Sequence, residues 1–240
     1  IKATETSAPD HILYDLSINN FFQGVNFGNN FFSSSLNKIR ANTCGTSFVF
    51  ASSAGTAIEN QMDNCYSHAP TTLGMKLSGV KGLMINTYNS GSAGSPHLDV
   101  SLNSTGVIFN APNFEQDSGT IASGSQCLLI QSGSEVTFNS PTFAAPSAAD
   151  ATAFLIRAKN TSITYIILPN VVNKGANIRD IFVENDATVY LFDPNNQLTD
   201  NSISGNGRII KLHDIADASP KLTNFAMVQS GGTIFTGLSP

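Results

Sequence analysis

Across residues 97–213 apolar and polar positions alternate in short bursts: HLDVSL, TGVIFNAPNFE, CLLIQS, EVTFNSPTF, FLIRAK, SITYIILPN, IFVEND, TVYLFDPNN and RIIKLH. Period-two alternation over a few residues, closed by Gly, Ser, Asn or Pro, is the pattern of a strand with one face buried. Val107, Val136, Ile163 and Val189 occupy equivalent positions, and each is followed by a proline, at Pro112, Pro141, Pro169 and Pro194. A residue without an N–H ends a strand there. A second apolar column, Leu77, Val100, Ile130, Ile156, Val183 and Ile210, runs six or seven residues ahead of the first, which Leu83 extends upstream. Two strands per repeat is too short for a βαβ unit with its helix and too regular for a Greek key. The expected fold is therefore all-β, a right-handed parallel β-helix in which stacked rungs about 4.8 Å apart bury one continuous core.

The pattern loosens upstream, but LSINNFFQGVNFGNNFF and GTSFVFASSAGTAIENQMDNCY still alternate, and Ile58 stands about one rung before Leu83. The solenoid is expected over residues 10–215, with 216–240 a final irregular coil or the start of a C-terminal region. The residue between paired core positions faces outward, and in successive rungs it is Lys76, Asp99, Leu129, Leu155, Phe182 and Ile209. A strand apolar on both faces is covered on both. The expectation is a homotrimer with Leu129, Leu155, Phe182 and Ile209 between subunits; a loop of the same chain is the alternative cover.

Composition narrows the partners. Hydrophobic side chains make up 41% of the 240 residues, enough for a core, while only 12% are charged, about half the usual share. A net charge of −5 offers no basic stripe for nucleic acid. No apolar run reaches the ~20 residues of a bilayer span, so no membrane insertion is expected. Cys44, Cys65 and Cys127 are odd in number and lack CxxC spacing, which makes them small buried hydrophobes rather than disulfide or zinc ligands. His11, His68, His97 and His213 are scattered, so neither a metal nor another cofactor is expected. The chain opens on Ile1 and closes at Pro240 in a turn-like stretch, which suggests a segment of a longer protein.

The stretch GTSFVFASSAGTAIENQMDNCYSHAPTTLGMKLSGVKGLMINTYNSGS from Gly45, followed by VIFNAPNFE, resembles the central β-helix of bacteriophage tailspikes, where GT-x-apolar and NCYA-like runs precede a rung ending in Glu. The motif likeness spans Asp15 to Glu115, and pectate-lyase-like β-helices share its turns. The resemblance implies a receptor-binding protein of the virion tail, extracellular, that binds and often cleaves a bacterial surface polysaccharide. No catalytic residue transfers from the family by position.

Glycan hydrolysis needs two carboxyl groups about 5 Å or ~6.5–9.5 Å apart, and residues one or two rungs apart in a β-helix meet that spacing. Asp99, Glu115, Glu59 and Asp63 are the outward candidates, with Asp117 in the turn beyond; Asp99 and Glu115 form the pair to test. His97 stands two residues before Asp99, on the same strand face by parity, and is a candidate for sugar binding or proton transfer. Tyr66 and Tyr88 are candidates to stack on sugar rings. A lyase would instead use Tyr88, Lys76 or Lys81, and no GxSxG elbow supports a serine esterase. The leading function is a glycosidase-type depolymerase; the alternative is a noncatalytic glycan-binding tail appendage or adhesin. A secreted pectinolytic enzyme ranks third.

Overall fold

A computed structural model of the chain describes residues 2–3, 8–9, 12–28, 31–52, 57–92, 96–116, 120–149, 152–212, 225–229 and 234–236. Asp117, His11 and His213 lie outside them, as do the side chains of Ile58 and Glu59. The described residues contain strands and no helix, wound as a parallel β-solenoid. In chain order the coils hold β1 (Lys2–Ala3), β2 (Ala8–Pro9) and β3 (Ile12–Asn19); β4 (Gln23–Phe27), β5 (Phe31–Phe32) and β6 (Ser35–Asn42); then β7 (Thr46–Ala51), β8 (Ala57–Asp63) and β9 (Tyr66–His68). Next come β10 (Leu73–Ser78), β11 (Val80–Asn86) and β12 (Asn89–Ser92); β13 (Leu98–Ser101), β14 (Thr105–Asn110) and β15 (Asn113–Gln116); β16 (Gln126–Ile130), β17 (Glu135–Asn139) and β18 (Thr142–Ala145). The last coils hold β19 (Ala153–Ala158), β20 (Ile163–Ile167) and β21 (Asn170–Lys174); β22 (Ile178–Glu184) and β23 (Thr188–Phe192); and β24 (Asn201–Ser204) with β25 (Arg208–Leu212). Beyond them β26 (Phe225–Gln229) and β27 (Ile234–Thr236) continue from β25 in antiparallel pairing.

The first strand of every coil joins one nine-stranded parallel sheet, β1-β4-β7-β10-β13-β16-β19-β22-β24. Opposite it the chain forms two further stacks, β8-β11-β14-β17-β20-β23-β25 and β9-β12-β15-β18-β21. β6 spans both, pairing Ser35–Asn37 with β8 and Arg40–Asn42 with β9. Most coils thus carry three strands rather than the two expected. The sequence conceals the third because the bend before it is short, one left-handed residue inside β3 and β6 and two residues, the first left-handed, in the coils from β8 to β21. Asp15, Lys38, Asn64, Thr87, Ala111, Ser140 and Leu168 make that bend in the left-handed region. The conformation is strained for residues with a Cβ. It is retained because the bend residue still donates its N–H to the next coil, as in Thr87 to Asn110 O at 2.9 Å and Ala111 to Asn139 O at 2.8 Å. A ladder of side-chain bonds seals the same edge, Asn86 to Asp63, Asn110 to Asn86 and Asn139 to Asn110, at 2.7–2.8 Å.

Inside, columns of like residues stack, including Phe109 on Phe138 and Phe114 on Phe143. Two expected alignments are corrected. Val107, Val136, Thr164 and Val189 share a column, so Thr164 and not Ile163 is the core residue, and every proline then falls five positions later. In the first sheet the column is Leu77, Val100, Ile130, Ala158, Val183 and Ile203; Ile156 stands two places earlier on the same face, and Ile210 belongs to the second stack.

The expected outward apolar column is also corrected. Its true register is Lys76, Asp99, Leu129, Arg157, Phe182 and Ser202. Five of the first-sheet strands enter round a corner that turns two consecutive side chains inward: Ser47 and Phe48, His97 and Leu98, Cys127 and Leu128, Leu155 and Ile156, Asp180 and Ile181 are all buried. Leu155 is therefore core, and strict alternation misplaces it. Ile209 is core as well, under Val189 in the second stack. Arg157 breaks the outward row between Leu129 and Phe182, pairing with Glu184 at 2.8 Å and covering the Phe182 ring at 5.4 Å.

Candidate functional site

This bend leaves a trough along the outside of the early coils. One wall is the bend itself, Asp15, Lys38 and Asn64; the other is the third-strand stack. Register places Ser17, Arg40, Tyr66, Asn89 and Asn113 in a single row, each paired to the next across adjacent strands. All five are polar at the tip, and they line a groove of about 700 Å³ together with Glu115 at its far end. Arg40, Asn89 and Glu115 are exposed, while Tyr66 and Asn113 are half-buried. The Tyr66 ring rests against His68 at 5.7 Å between centroids, which limits its rotamers and leaves an aromatic surface on the groove row. Lys38 Nζ is held at the rim by Tyr14, 3.0 Å from its hydroxyl and 5.3 Å from its ring centre; the Tyr14 bond raises the Lys38 pKa and keeps the ammonium charged.

The expected site residues divide. Glu115 and Tyr66 line the groove. Asp99 does not approach them: it is on the outward face of the nine-stranded sheet, accepting from Gln131 Nε2 at 3.1 Å. Asp63 is tied into the bend ladder by Asn86 and Gln61, both at 2.7 Å. His97 and Tyr88 are corrected to core residues. The inward corner buries His97 against Ser90 and Phe114, and desolvation pushes its pKa down to about 3. Tyr88 is fully buried among Phe48, Phe109 and Phe114, with its pKa driven upward by the same cause. Of the lyase candidates, Lys76 and Lys81 are exposed on separate sheets.

No family model, curated protein or solved structure matches this chain. The groove therefore stands on its own chemistry. Among the described residues no group of three or more His, Cys, Asp or Glu is arranged to hold a metal ion. The carboxylates at the two ends of the groove, Asp15 and Glu115, are four coils apart, about 19 Å along the axis, well beyond the reach of a hydrolytic pair. What the groove offers is a row of amide, guanidinium and phenol groups with an aromatic ring at its centre, suited to a long hydroxyl-rich ligand.

Sequence reasoning missed Arg40, Lys38, Asn89 and Asn113. Their signal is in the short run after each bend, NCYSH, TYNSG and APNFE, where Tyr66, Asn89 and Asn113 recur at the same offset, two residues past the left-handed position.

Proposed function

We propose that this chain is a noncatalytic glycan-binding β-solenoid of the tailspike kind, carried on a virion tail, that holds a bacterial surface polysaccharide lengthwise in the groove. The observation that carries the reading is the continuous row Arg40–Tyr66–Asn89–Asn113, which presents hydrogen-bonding groups at the ~4.8 Å repeat of the coils around one aromatic ring. Amides and guanidinium supply donors and acceptors to sugar hydroxyls, and the Tyr66 ring supplies an apolar face. Binding rather than cleavage is favoured because the carboxylates of the groove stand so far apart.

A homotrimer remains part of the proposal, with its contact moved to another face. β20 and β23 are apolar on both sides, and Ile163, Tyr165, Ile167, Tyr190 and Phe192 form a half-buried outward patch in which the two tyrosine rings stack at 4.9 Å.

The test is calorimetric titration with a panel of capsular and lipopolysaccharide glycans, alongside a reducing-end assay. Binding by the wild type, its loss in Tyr66→Ala, and no new reducing ends support the reading. Reducing ends that disappear in Glu115→Gln would replace it with hydrolysis.

A further inference from the structure

The groove carries a separated pair of free charges, and that separation specifies more than a generic sugar. Four charged residues line it: Asp15, Lys38, Arg40 and Glu115. Asp15 and Lys38 occupy the same bend position in neighbouring coils, between the paired residues Tyr14–Asn37 and Leu16–Ile39, and the Asp15 charge is among the causes that raise the Lys38 pKa, after the Tyr14 bond. Arg40 has no counterpart of that kind. Among the described residues its guanidinium makes no ion pair, and the residues registered on either side of it, Ser17 and Tyr66, are uncharged. Glu115 is likewise unpaired among the described residues, beside Gly91, whose missing side chain leaves its carboxylate open to the groove. Three coils, about 14 Å along the axis, separate the two. The stretch between them, Tyr66, Asn89 and Asn113, is neutral.

We infer that the ligand is an acidic polysaccharide whose sugar carboxylate is gripped by Arg40 and whose next neutral sugars extend toward Glu115. This rests on the glycan-binding reading of the same groove. A guanidinium binds a carboxylate through two parallel N–H bonds, a geometry that a neutral hydroxyl cannot reproduce. Glu115 accepts only, so it suits hydroxyl or amide donors and repels a second carboxylate at that end.

The experiment uses hexuronate-bearing capsular polysaccharides, each paired with the same polymer after chemical reduction of its carboxyl groups to alcohols. Wild-type protein is expected to bind an acidic polymer at least tenfold more tightly than its reduced partner, with the preference shrinking as salt rises. Arg40→Gln removes the preference, its affinity for the acidic polymer falling about tenfold further than its affinity for the reduced one, and Tyr66→Ala weakens both alike. Equal binding of native and reduced polymers overturns the acidic assignment and leaves the glycan-binding reading standing. Binding of neither polymer in any pair overturns both.

Discussion

His97 Nδ1 lies 2.9 Å from Ser90 Oγ in the sealed interior, one face of its ring against Phe114. The imidazole is held neutral because no water reaches it, which lowers its pKa from 6.5 to about 3. The unfolded chain protonates this histidine below about pH 6.5 and the folded chain does not. Its contribution is therefore complete above pH 6.5 and is lost as pH falls from 6.5 towards 3, at a slope of up to ~1.4 kcal/mol per pH unit. Urea unfolding of the wild type and of His97→Gln between pH 7.5 and 4.5 checks this. The wild type should lose stability more steeply on acidification; parallel curves would contradict the account.

Asp180 is fully buried, 2.6 Å from Lys174 Nζ, and accepts the backbone N–H groups of Thr199 and Asp200 at 2.7 Å each. Those two bonds shape the loop that leads from β23 into β24. Asp180→Ala leaves a half-buried ammonium and two amide donors without their acceptor, so chemical denaturation should report a loss of about 3 kcal/mol. Lys174→Met should cost less, because the carboxylate keeps both backbone donors.

Two charge-introducing substitutions separate core from interface. Leu155→Glu puts a carboxylate into the corner of β19 and should prevent folding, seen as lost strand signal in circular dichroism. Tyr190→Glu alters the outward patch alone. It should leave the circular dichroism spectrum unchanged while light scattering reports dissociation of the proposed trimer. A wild-type monomer would remove the trimer from the account.

The coil repeat was legible because apolar residues recur at rung spacing, and Val107, Val136 and Val189 were read in their true column. Alternation misplaces Ile163 and Leu155 for a shared reason. Both stand in strands where adjacent residues are apolar, FLI and ITYII, so alternation gives no parity, and only backbone register distinguishes the inward residue. His97 was misread because the first-sheet corner suspends alternation just before Leu98. The groove was half legible: Tyr66 and Glu115 were singled out, whereas Arg40 and Asn113 join them only through a bend whose residue differs from coil to coil. Rung distance alone pairs Asp99 with Glu115 and ignores that the two stand on different faces of the solenoid.

The central claim is that the row from Ser17 to Asn113 holds a glycan, and amide chemical-shift mapping tests it most directly. On addition of a polysaccharide fragment from the binding panel, perturbed amides should cluster at Arg40, Asn64, Tyr66, Asn89, Asn113 and Glu115, with those of Asp99, Leu129 and Phe182 unmoved. Perturbations centred on the nine-stranded sheet, with the groove silent, would contradict it.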